Sequence, residues 1–276
     1  AAARPTAVAT LPSKHETVIL TMEVSGSMRA SDVAPTRLGA AQLAARSFIE
    51  QQPRSTRVGI VTFGGGAALV QPPTQSREDL LNAIDRFELQ RGTAVGSGIL
   101  MSLKTIFPDQ EIELPSLEAR RAATATSLDA PHKLVADPPK PVAPGSYTSA
   151  VVILLSDGQT TTGPDPIEAA KLAADRGVRI YTVGIGTPNG EILIGDGWSM
   201  RVRLDEEALK SIAKTTDAEY FYAATADDLK KVYDSLNSKL VFETRETEIT
   251  SLFAAVAAAL AVVSALLSMV WFNRVL

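Results

Sequence analysis

Apolar runs and helix-spaced apolar stripes alternate along this chain. "ETVILTMEV" is an unbroken hydrophobic run of strand length, and "PTRLGAAQLAARSFIEQ" repeats apolar residues at helical spacing, with Leu38, Ala41, Ala45, Phe48 and Ile49 on one side. "RVGIVTF" reads as a second buried strand that ends at Gly64 to Gly66. "SREDLLNAIDRF" opens on Ser76 and an acidic first turn, a helix start. "AVGSGILMSLKTIF" follows as a helix, and "SAVVILLSDG" is the most hydrophobic strand, expected at the sheet centre. "DPIEAAKLAADRG" has Pro166 at its start and Gly177 at its end, as helix capping favours. "RIYTVGIG" reads as a strand and "GEILIGDGWSMRVRL" as a hairpin around Gly195 to Gly197. Helix, strand and helix follow in "DEEALKSIAKTT", "EYFYA" and "ADDLKKVYDSLNSKL".

This alternation predicts an α/β fold: a Rossmann-like, doubly wound, mostly parallel sheet flanked by helices. One segment breaks the rhythm. From Pro108 to Ser149 the chain is rich in proline, alanine and charge, and it reads as a mobile insertion at about 108–149. At the far end, Ser251 to Phe272 carries no charge. At 1.5 Å per residue it would extend roughly 33 Å, against a hydrocarbon core of about 30 Å. With Trp271 and Phe272 at one end and Arg274 beyond, it is expected to be one C-terminal transmembrane helix in the lipid bilayer. The expected organisation is therefore a lead-in at 1–14 that could be the end of a membrane helix, a domain at 15–242, a juxtamembrane linker at 243–250, the span at 251–272 and a tail at 273–276.

Composition narrows the chemistry. The 276 residues are 45% hydrophobic and lack cysteine, which excludes disulfides, zinc–thiolate sites and thiol catalysis. Two histidines, His15 and His132, leave little for imidazole chemistry, and both are expected at the surface. A net charge of -4 gives no electrostatic footprint for nucleic acid. No Walker lysine follows a glycine-rich loop, no Gly-x-Ser-x-Gly elbow occurs, and no dinucleotide fingerprint follows the first strand. The sequence therefore reads as that of a binding protein, not an enzyme, with a hydrolase as the least favoured alternative.

In an open α/β sheet, ligands bind beyond the carboxyl ends of the strands. Three segments bring oxygen donors there: "EVSGS" with Glu23, Ser25 and Ser27, "RGTAVGSGI" with Thr93, and "LLSDG" with Asp157. Singly, the serines suit a turn or helix cap, Thr93 a helix N-cap and Asp157 an Asx turn. Together, two carboxylates and three hydroxyls suit a hard divalent cation: Mg²⁺, with Mn²⁺ or Ca²⁺ as alternatives.

The same residues resemble the von Willebrand factor A (VWA) domain and its metal-ion-dependent adhesion site (MIDAS), whose pattern is Asp-x-Ser-x-Ser, a distant Thr and a distant Asp. The resemblance covers about His15 to Leu240, and Glu23 stands where the pattern has aspartate. It implies that the serines and threonine bind the metal directly. The carboxylates act directly or through water, and one coordination position stays open for an acidic residue of a partner protein. "SMRASDVAPTRLGAA" and the tail are similar to bacterial membrane-anchored A-domain proteins of aerotolerance-type operons. That similarity implies a MoxR-class AAA+ ATPase and other VWA membrane proteins as partners, in assembly or maturation. A structural scaffold whose site is weakened by Glu23 is the alternative. Arg274 argues for a cytoplasmic C-terminus, and Lys239 and Arg245 argue the reverse. With cysteine absent and the start "AAARPTAV" resembling the exit of a membrane helix, the domain is expected on the periplasmic side of the inner membrane.

Overall fold

A computed structural model describes residues 6–12, 17–110, 112, 140–187, 190–194, 198–248 and 250–272. They form two compact units, one of residues 14–238 and one of 1–13 with 239–276.

The larger unit is built on a six-stranded sheet. Its strands are β2 (Thr17–Glu23), β3 (Arg57–Phe63), β4 (Ala67–Thr74), β5 (Ala150–Ser156), β6 (Arg179–Ile185) and β9 (Tyr220–Ala223), in the order β4-β3-β2-β5-β6-β9. All neighbours run parallel except β3 and β4. Every residue of β5 is buried, and in β2 and β3 only the first residue is not. Both faces are therefore covered, which is why these strands read as continuous apolar runs with no alternation. On one face, α3 (Val95–Ile106), α4 (Pro166–Asp175) and α5 (Glu206–Thr215) share a core with Ile19, Phe63, Val152, Leu154 and Ile180. Elsewhere in this unit α1 (Arg37–Gln51) meets α6 (Ala226–Val241), where the Phe48 and Tyr233 rings lie 5.2 Å apart. The helix starts are capped as the sequence suggests. Ser76 accepts the Asp79 amide ahead of α2 (Arg77–Asp85), and Asp165 accepts those of Ile167 and Glu168 ahead of α4.

Two features lie outside the alternation pattern. Strand β4 contains Pro72 and Pro73, which suppress a strand reading, and it is the antiparallel edge strand, where proline is tolerated. The expected hairpin is present as β7 (Glu191–Ile194) paired antiparallel with β8 (Trp198–Arg201). The insertion expected at 108–149 lies largely outside the described residues, as do His15 and His132.

In the smaller unit, β1 (Thr6–Pro12) pairs antiparallel with β10 (Phe242–Glu248). The chain then forms α7 (Thr250–Phe272). The transmembrane helix expected over 251–272 requires correction: among the described residues, no helix is long and apolar enough to cross a membrane.

Candidate metal site

The chain enters the sheet at β2, builds outward through β3 and β4, and then crosses to β5 on the other side. The topological switch point lies between β2 and β5, and the carboxyl ends beside such a point are where open α/β sheets bind ligands. Glu23 closes β2 and Asp157 follows β5, so the switch point brings together carboxylates 134 residues apart.

All five residues singled out in the sequence meet here. The Ser25 hydroxyl donates to Glu23 Oε1 at 2.5 Å, Ser27 to the same atom at 3.3 Å, and Thr93 to it at 3.5 Å. The two serine hydroxyls are 2.8 Å apart. Glu23 Oε2 accepts the Ser156 hydroxyl at 2.7 Å and the Asp157 amide at 3.0 Å. Glu23 thus ties β2 to the hydroxyl loops through one oxygen and to β5 through the other.

The capping roles open to these residues in the sequence are used only in part. Ser25 precedes the short 3₁₀ turn Gly26–Arg29 and makes no side-chain cap bond to it. The helix α3 starts after Ala94, also without a side-chain cap, and Thr93 turns to Glu23 instead. Thr93 is held by its backbone, which bonds to Thr161 and Thr162. Asp157 does form an Asx turn, accepting the Gln159 amide at 3.1 Å, while its other oxygen faces the site's neighbour Arg37.

Electrostatics set the character of the site. Burial, with the adjacent Asp157 carboxylate second, pushes Glu23 up to about 7. Burial raises Asp157 too, against the pull of Ser27, the Gln159 amide and Arg37. Two neighbouring carboxylates withdrawn from water repel each other, and that imbalance is what a dication relieves. The donors are hard oxygens with no thiol or imidazole, so their chemistry fits Mg²⁺ or a similar ion. Carboxylates are few: among the described residues, no group of three or more His, Cys, Asp or Glu side chains gathers as a metal site. Hydroxyls would make up most of the coordination.

Four residues of the site were not singled out by sequence reasoning: Ser156, Asp32, Arg37 and Thr187. Arg37 is fully buried at the first turn of α1. Its position is legible in hindsight, because it lies four residues before Ala41 and eleven before Phe48, on the buried face, whereas Leu38 is only half-buried. An arginine on such a face needs a carboxylate, and Asp32 supplies it: Arg37 Nε donates to Oδ1 at 2.8 Å and Nη2 to Oδ2 at 2.7 Å. Arg37 holds Asp32 below the usual carboxylate range despite burial, with help from the Thr187 amide and hydroxyl.

An open, mostly parallel α/β sheet with hydroxyls and carboxylates gathered at its switch point is the arrangement of a VWA-like α/β domain. The sequence profile of the von Willebrand factor type A domain matches residues 18–159, and a second profile of the same description matches 123–235. The chain belongs to the von Willebrand factor type A domain family. It is 35% identical over 258 residues to a UPF0353 protein of Nocardia farcinica, covering 88% of this chain and 69% of that one. A UPF0353 protein of Mycolicibacterium gilvum is 35% identical over 250 residues, covering 88% and 66%. The chain thus spans about two thirds of the length of these relatives. Among solved structures it resembles an aerotolerance-related membrane protein of Bacteroides fragilis, with TM-score 0.60, 19% identity, and 81% and 98% of the two chains covered. BatB of Bacteroides thetaiotaomicron aligns with TM-score 0.58 at 22% identity, covering 81% and 98%. Proximal thread matrix protein 1 of the mussel byssus, with a zinc-occupied MIDAS motif, aligns with TM-score 0.56 at 18% identity, covering 87% and 49%. At these identities the likeness is one of fold.

Proposed function

We propose that this domain is a protein-interaction module that binds a partner's Asp or Glu side chain through a divalent cation. Ser25, Ser27 and Thr93 would hold the cation, with Glu23 and Asp157 supplying charge. The observation that carries this reading is the convergence of three hydroxyls from two separate loops on one point, Glu23 Oε1, beside a second buried carboxylate. The cation would supply an open coordination position for the incoming carboxylate. Mg²⁺ is the proposed ion, with Mn²⁺ and Ca²⁺ as the nearest substitutes.

The partner is proposed to be a protein, such as a MoxR-class AAA+ ATPase or another VWA protein. This rests on the "SMRASDVAPTRLGAA" segment and is supported by the fold shared with the two Bacteroides proteins. The Bacteroides fragilis protein is described as a membrane protein, which supports a membrane setting for this domain; the periplasmic side is proposed from composition. Binding and not catalysis is proposed because the hydroxyls of Ser25, Ser27 and Thr93 gather with two carboxylates as a hard-oxygen donor set for a cation.

A second reading has its own observation. Glu23 accepts hydrogen bonds from five donors, so its carboxylate is satisfied without a cation. On that reading the domain is a metal-independent scaffold. Capture of the domain on an immobilised glutamate-terminated peptide separates the two. Retention that requires Mg²⁺ and is released by EDTA supports the adhesion reading, and retention indifferent to metal supports the scaffold.

A further inference from the structure

We propose that Arg37 is a positioning residue for the metal site: a buried guanidinium fork that fixes the Asp157 carboxylate in the orientation cation binding needs. The inference rests on the adhesion reading and adds to it a residue that lies outside the metal pattern.

The geometry is that of a built socket. Arg37 Nη1 donates to Asp157 Oδ2 at 3.2 Å, while Nη2 also donates to the Val202 carbonyl at 3.1 Å. With the two bonds to Asp32, the guanidinium spends four hydrogen bonds on acceptor atoms of three residues, and its side chain is 0% exposed. The loop after β6 closes the socket. Thr187 donates to Asp32 Oδ2 through its amide and its hydroxyl, each at 2.9 Å. Gly186 and Gly190 form the walls. A Cβ at Gly186, whose φ is +122°, would lie 2.5 Å from Arg37 Cζ, and a Cβ at Gly190 would lie 2.3 Å from Nη2. Neither position has room for a side chain while the fork is in place.

The charge arithmetic favours positioning over competition with the cation. Asp32 engages the fork bidentately along its Nε–Nη2 edge and neutralises it, so little positive charge remains to repel a metal. What remains is direction. Oδ2 of Asp157 is pinned by Arg37 and Oδ1 by the Gln159 amide, so the carboxylate cannot rotate away from the hydroxyls. Lysine keeps the charge but has no fork, and cannot reach Asp32, the Val202 carbonyl and Asp157 together.

The test is Mg²⁺ calorimetry on the full chain, with the metal alone as probe and the metal-free melting temperature recorded for every variant. Arg37→Lys is expected to weaken Mg²⁺ roughly tenfold or more, the usual scale for groups that orient metal ligands. Gly190→Ala, which leaves Arg37 and every proposed ligand unchanged in sequence, is expected to weaken it in the same direction by displacing the fork. It serves as the second route if Arg37→Lys does not fold. Because Arg37 acts through Asp157, Arg37→Lys added to Asp157→Asn, which keeps a side-chain oxygen for the ion and so a weakened affinity that Asp157→Ala loses, is expected to cost no further affinity. Wild-type Mg²⁺ affinity in either Arg37→Lys or Gly190→Ala would overturn the proposal, as would losses that multiply in the double variant. A wild type that binds no Mg²⁺ would overturn the adhesion reading itself and this inference with it.

Discussion

At the scale of single residues, Glu23 explains itself through its length. Its carboxylate spans from the hydroxyls of Ser25, Ser27 and Thr93 to the Ser156 hydroxyl and the Asp157 amide. An aspartate, retracted by roughly 1.5 Å, would not reach both sides. Glu23→Asp is therefore expected to free the hydroxyl cage and tighten Mg²⁺ by about tenfold, or about 1.4 kcal/mol, while lowering the metal-free melting temperature. Unchanged affinity on calorimetry would show that the extra methylene does not obstruct the ion. Titration provides a second check. Glu23 rises from 4.5 to about 7 on folding, so the folded state holds a proton that the unfolded state releases. The stability tied to that proton is fully present below pH 4.5 and is lost as pH rises through 7. Asp157 is raised as well and adds to the trend, whereas Asp32 is lowered and acts at lower pH with the opposite sign. The metal-free melting temperature is expected to fall between about pH 5 and pH 8 on account of these groups, and Glu23→Gln to flatten that fall. An equally steep profile in the variant would exclude Glu23 as a source.

At the scale of elements, the site is a seam between β2 and β5, closed by side chains where the ladder ends. Ser156, the last residue of β5, donates to Glu23 and accepts the Gly158 amide at 2.9 Å. Ser156→Ala leaves a buried carboxylate oxygen short of one donor and is expected to destabilise the domain by about 1–3 kcal/mol. Denaturant melts would read this directly, and a midpoint equal to that of wild type would show the seam to be redundant. The parallel strands were legible because burial on both faces writes continuous apolar runs, and the ligand-bearing loops because ligands collect at carboxyl ends. The Arg37–Asp32 pair was not, since a helical stripe is read by its apolar members and Arg37 occupies one of its buried positions. Strand β4 was hidden by prolines that only an edge position allows. The apolar run at 251–272 carried a helix, but composition suggested a membrane crossing that the described residues do not provide.

At the scale of the whole molecule, every site residue falls within the unit 14–238, which holds the complete six-stranded sheet. A fragment of residues 14–238 is expected to unfold cooperatively and to keep the Mg²⁺ affinity of the full chain, measured by calorimetry and thermal melting in parallel. Loss of either would show that the unit of 1–13 and 239–276 completes the site or its fold. The measurement that bears most directly on the central claim is a Mg²⁺ titration of the full chain by calorimetry, wild type against Asp157→Ala. The adhesion account predicts saturable binding in the wild type at millimolar metal or below, and its disappearance in the variant, because removing one of two carboxylates removes half the charge that holds the ion. Equal binding by both proteins, or binding by neither, would contradict it.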